Sequence, residues 1–66
     1  MLIGFKHYKT FEWIFETNDS ELSIIPNKDD TVWLKGHPYK VKKRDFGLME
    51  EGDNLLYIYV KPCNSW

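Results

Sequence analysis

The feature that most constrains this chain is the segment Asp30-Thr31-Val32-Trp33-Leu34-Lys35-Gly36-His37-Pro38-Tyr39-Lys40-Val41-Lys42-Lys43-Arg44. Apolar and polar residues alternate through it on both sides of a glycine, the period of two strands joined by a tight turn. With Gly36-His37 as the turn, Leu34 lies across from Tyr39, Val32 from Val41, Trp33 from Lys40 and Thr31 from Lys42. That register points Val32, Leu34, Tyr39 and Val41 into a core and Thr31, Trp33, Lys40 and Lys42 to solvent. A slip of one residue would bury the lysines, so the faces are strongly specified.

The rest of the chain extends the same pattern. Strands are expected over Leu2 to His7 and Phe11 to Thr17, where Phe11, Trp13 and Phe15 alternate with Glu12 and Glu16. They form a hairpin, or one long strand bent at Gly4, because Tyr8-Lys9-Thr10 lacks the Gly, Asn or Asp that usually makes a turn. Asn18-Asp19-Ser20 is a turn cluster, with a single helical turn capped by Ser20 as the most helix expected. Leu22 to Ile25 is a short extended piece that Pro26 ends, and Pro26-Asn27-Lys28-Asp29-Asp30 is a loop. Phe46-Gly47-Leu48-Met49 prolongs the basic strand past a bulge at Gly47, Glu51-Gly52-Asp53-Asn54 turns the chain, and Leu55 to Val60 is an apolar closing strand. The fold class is all-β: a small antiparallel barrel or strongly twisted sheet of four to five strands. Residues 1–62 form one domain and residues 63–66 a tail.

At 66 residues a single core typically leaves about 3–5 kcal/mol of net stability. Aromatic side chains fill so small a core efficiently. Phe5, Phe11, Trp13, Phe15, Trp33, Tyr39, Phe46, Tyr57 and Tyr59 are available, Trp13 being expected inside and Trp33 partly exposed. The lone Cys63 offers no disulfide, fits a reducing compartment and leads to a cytoplasmic assignment. No apolar run is long enough to span a bilayer. The chain has neither Ala nor Gln and is rich in Lys, Asn, Ile, Phe and Tyr, the usage of an A/T-rich genome such as that of a low-G+C bacterium or its phage.

No constellation of catalytic or metal-binding groups is visible, so a non-enzymatic protein without cofactor or metal is expected. His7 and His37 read as a strand-surface and a turn residue, and Cys63 has no activating base. Asp29-Asp30 and Glu50-Glu51 fall in turns, the first pair lacking the Gly and distal Glu of a calcium loop. The remaining candidate is a binding face of Trp33, Lys40, Lys42, Lys43 and Arg44. Lysines two apart on a strand line one face about 7 Å apart, and with Trp33 stacking beside them they would suit a nucleic-acid strand. The same row also serves to keep a sheet face and edge soluble.

The run from Ile25 to Val41, followed by Leu55-Leu56-Tyr57-Ile58-Tyr59-Val60, resembles small bacterial and phage proteins of unknown function. In them an I-P-x-x-G-D-x-V loop and strand precedes G-x-x-Y-x-V and a closing strand, and the group looks like a minimal Src-homology-3-like barrel. This chain carries Asp29 where a glycine is usual. The resemblance covers about half the chain and implies no catalytic residues. The leading expectation is a protein-interaction module, encoded by a phage or mobile element, that modulates a host protein through the Trp33 face or an open strand edge. Nucleic-acid binding by the basic face and a structural homo-oligomer are the alternatives.

Overall fold

The computed structural model describes residues 1–22, 25–47 and 54–63. The expected turn at 51–54 lies outside these residues except for Asn54, as do the extension over Leu48-Met49, the acidic pair Glu50-Glu51 and the end of the tail. Five strands run β1 Leu2–His7, β2 Trp13–Asn18, β3 Thr31–Leu34, β4 His37–Gly47 and β5 Leu55–Pro62, with one 3-10 turn at Asp19–Glu21. They form one sheet in the order β2-β1-β5-β4-β3, curled into a nearly closed barrel. No helix among the described residues is long and apolar enough to cross a membrane.

One pair departs from the all-antiparallel expectation: β1 and β5 run parallel, with Ile3 opposite Leu56 and Phe5 opposite Ile58. The reason is arithmetic. In a meander of alternating strands the first and fifth point the same way, so an odd-stranded barrel joins its ends in parallel. Ile3, Phe5, Leu34, Val41, Leu56, Ile58 and Val60 form the buried core, with Val32, Tyr39 and Ile14 packed against it. Thr17, the one buried polar residue among those described, donates its hydroxyl to Glu21 at 2.8 Å.

The β3–β4 hairpin keeps the expected faces but not the expected register. Leu34 pairs with His37, Trp33 with Pro38, Val32 with Tyr39 and Thr31 with Lys40, so the two turn residues are Lys35 and Gly36. Both have positive φ, 54° and 83°, the requirement of the turn whose twist matches the strands. Gly36 meets it freely in the second position. The shift is two residues, an even number, which is why Thr31 to Leu34 and Tyr39 to Val41 keep their predicted faces. Trp33 therefore lies across from Pro38 and not from Lys40.

Two bulges re-phase the strands. Phe5 pairs with Phe15 but Lys6 with Trp13, leaving Ile14 as an extra residue in β2. Val41 pairs with Val60 but Lys43 with Tyr59, leaving Lys42 as an extra residue in β4. The β4 bulge is thus at Lys42, while pairing through Phe46 and Gly47 is regular, contrary to the bulge expected at Gly47. Each extra residue inverts the alternation that follows it. Trp13, expected in the core, is turned to the outer surface and is 50% exposed.

Two loops hold by local chemistry. Residues 2–15 form a hairpin, not a bent strand, and the turn lacking Gly and Asn is organised by His7: its Nδ1 accepts the N–H of Lys9 at 3.1 Å and of Thr10 at 3.4 Å. In the loop before β3, Asp29 has φ 73°, the left-handed conformation that favours the glycine usual there in the resembling proteins. Asp30 stabilises that loop by accepting the Asn27 N–H at 2.8 Å through its carboxylate.

Candidate functional site

Residues directly opposite in a sheet share a face, so the register defines the barrel's outer surface. One row across it reads Trp13, Lys6, Tyr59, Lys43, an alternation of ring and cation over four strands. The next row holds Glu16, Gly4, Tyr57 and Asp45. The Lys6 Nζ lies 5.4 Å from the Trp13 ring centre and 4.6 Å from that of Tyr57, and the Lys43 Nζ lies 4.9 Å from that of Tyr59. Phe11 meets Tyr59 edge to face at 5.6 Å, and Trp13 packs beside Tyr57 at 6.0 Å. Lysine over an aromatic face is attracted by the ring quadrupole, by about 0.5–1 kcal/mol at exposed sites.

Gly4 makes this arrangement possible. A Cβ there would lie 2.1 Å from Cζ3 and 2.4 Å from Cη2 of Trp13. The indole occupies the space a side chain would need, and it shields the Gly4 backbone, which is buried although it belongs to the outer row. Tyr59 is likewise only 9% exposed on this face. The cluster is a second, small layer of rings and lysine stems, built where no helix among the described residues covers the sheet.

The predicted binding residues are sorted by the Lys42 bulge. Lys40 and Lys43 are exposed on the outer face, Lys40 directly opposite Lys61. Lys42 is half-buried in the bulge, and Arg44 shares the side of Ile58 and Phe46 that of Leu56, both beyond the reach of β3 and exposed. Lys40, Lys42 and Arg44 therefore do not form one row. Trp33 is on the outer face as expected and is 69% exposed. It sits diagonal to Lys40, since Trp33 pairs with Pro38 and Thr31 with Lys40. Lys43 also contacts Asp45 at 3.6 Å. Sequence reasoning missed Lys6, Lys61, Tyr57, Tyr59 and Phe11 as members of this face, because no local pattern relates β1 and β5 to β4.

The second feature is the gap in the barrel. Among the described residues, neither β2 nor β3 has a strand on its far side. Between them opens a groove of about 370 Å³ lined by Trp13, Ile14, Phe15 and Glu16 of β2 and by Lys35 of the β3–β4 turn. Trp13, Ile14 and Phe15 supply its apolar lining, and Glu16 and Lys35 bring one charge of each sign. No group of three or more potential metal ligands occurs among the described residues. Comparison with known protein families, curated proteins and solved structures found no match for this chain.

Proposed function

We propose that this chain is a non-enzymatic protein-interaction module that receives an extended segment of its partner in the gap between β2 and β3. The observation that carries this reading is that β2 and β3 each pair on one side only among the described residues, and that a groove lined by Trp13, Ile14, Phe15 and Glu16 of β2 and by Lys35 of the β3–β4 turn opens there. Unpaired edges offer main-chain N–H and C=O groups to an incoming strand, and pockets for alternate side chains add selectivity. Because β2 and β3 run in opposite directions, such a segment is antiparallel to one edge and parallel to the other. The bulge at Ile14 bends the β2 edge, which discourages indiscriminate pairing.

The absence of Ala and Gln and the abundance of Lys, Asn, Ile, Phe and Tyr, the usage an A/T-rich genome imposes, support placing the module among phage or mobile-element proteins that modulate a host protein. The lone, exposed Cys63 fits work in a reducing cytoplasm. The test is capture from a low-G+C bacterial lysate treated with nuclease, using the parent chain and a Phe15→Lys variant whose fold is checked by circular dichroism. A protein held by the parent and lost by the folded variant supports the reading. Equal capture by both, or none by either, ends it.

A further inference from the structure

We infer that the outer face of β1, β5 and β4 is a second binding surface, one that takes single-stranded nucleic acid. It meets the groove at Trp13, and its lysine rows stand apart from the groove's lining. The first ground is charge segregation. Lys6 on β1, Lys40, Lys42, Lys43 and Arg44 on β4 and Lys61 on β5 are six of the nine basic residues, and Asp45 is the only one of ten acids on these strands. Four of these six, Lys6, Lys40, Lys43 and Lys61, lie on the outer face itself with Asp45, a net charge of +3 there in a chain of net charge −1. A near-neutral total conceals a basic face.

The second ground is an uncompensated pair. Lys40 and Lys61 are direct cross-strand partners, and neither has a carboxylate partner among the described residues. Like charges directly opposite are destabilising. An anion seated between them would reverse that cost. Tyr59 and Lys61 are two apart on β5, so the Lys6–Lys43 row and the Lys40–Lys61 row are separated by about 7 Å, comparable to the spacing of successive phosphates along an extended strand.

The third ground is the aromatic surface at both ends of these rows. Trp13 and Phe11, half-exposed, lie at one end and Trp33 at the other. Exposed rings stack on unpaired bases whatever their identity. A duplex keeps its base faces closed and offers such rings nothing. Unpaired bases and a phosphate track are together the chemistry this face complements.

The experiment is fluorescence anisotropy of the full chain with labelled fifteen-nucleotide dT and rU strands and a fifteen-pair duplex, at 50 and 200 mM salt. Four lysine–phosphate contacts on a single strand give a slope of about −2.8 in log affinity against log salt. The fourfold rise in salt then lowers affinity roughly fifty-fold. Lys40 and Lys61 contact no ring, so the Lys40→Gln/Lys61→Gln variant keeps the cation–ring cluster. Its loss of two contacts cuts that drop to about sevenfold, a change that a merely structural role would not produce. Phe11→Leu weakens binding about tenfold or more while leaving the slope unchanged. Binding of dT, rU or both in preference to duplex, with these responses, supports the inference, and the dT and rU arms show which strand is preferred. No binding at 50 mM salt, equal binding of duplex, or an unchanged slope in the double variant overturns it.

Discussion

Replacing Gly4 by Ala adds one methyl group and is expected to remove most of the stability of the fold. The new Cβ would fall 2.1 Å from the Trp13 ring, and the obstacle is an indole wedged against sheet backbone, not the free end of a flexible chain. The ring must lift away. Trp13 is 50% exposed, so its covered half is about 100 Å² of apolar surface, roughly 2–3 kcal/mol at 25 cal/mol per Å². The contact with Tyr57 adds about 0.5–1.5 kcal/mol and that with Lys6 about 0.5–1. A displaced indole recovers part of this on the surface, and Ala is preferred to Gly within a strand by about 0.5–1 kcal/mol. The net loss is about 2–3 kcal/mol, which lowers the melting temperature of a domain this size by roughly 15 °C. The assay is urea unfolding followed by circular dichroism, in sucrose to keep weakened variants folded at zero urea. The control is the same substitution in a Trp13→Val background, where the indole that blocks the methyl group is gone and the substitution becomes neutral or slightly stabilising. A coupling of about 2–3 kcal/mol between the two positions is expected. An equal cost in both backgrounds, or a cost below about 0.5 kcal/mol in the parent, would refute the reasoning.

Three further outcomes follow from the backbone. Asp29→Gly relieves a left-handed residue at φ 73° and raises stability by about 0.5–1 kcal/mol, read as a higher urea midpoint at unchanged slope. At the β3–β4 turn, Lys35→Asn raises stability by about 0.5 kcal/mol whereas Gly36→Ala lowers it by about 1–2 kcal/mol, since both positions have positive φ and only Gly and Asn adopt it readily. Thermal melts of the two variants should move in opposite directions. His7→Ala costs about 1 kcal/mol by removing the acceptor for two backbone N–H groups, and His7→Asn, which keeps a short side-chain acceptor, restores most of it. Amide exchange of Lys9 and Thr10 reports this locally: it should quicken in the first variant and not in the second.

Much of the fold was legible because the strands obey simple periodicity. Val32, Leu34, Tyr39 and Val41 face inward and Thr31, Trp33 and Lys40 outward, as alternation requires. The register was misjudged by two because His37 was read as part of the turn in place of Lys35, a lysine being an unusual residue at positive φ. What alternation could not reveal was where it breaks. The bulges at Ile14 and Lys42 carry no glycine and no compositional mark, since what defines a bulge is a mismatch with the neighbouring strand. They decide the surface all the same: they send Trp13 and Lys43 outward to Tyr57 and Tyr59 and divide Lys40 from Arg44. The parallel closing pair was equally hidden, because it joins segments some fifty residues apart and follows from counting strands.

That parallel pair fixes how this domain can be joined to anything else. β1 and β5 start at the same end of the barrel, Leu2 beside Leu55, and stay paired through the sixth pair, His7 beside Val60. A segment attached ahead of β1 and one attached behind β5 therefore leave from opposite poles, about 20 Å apart along the strands. In a fusion the barrel acts as a rigid spacer that passes the chain from one side to the other. Tandem copies would string out like beads, whereas a barrel with an even number of strands would hand the chain back where it came in. Joining the two ends directly to relocate the break in the chain would need a linker long enough to run the full height of the barrel.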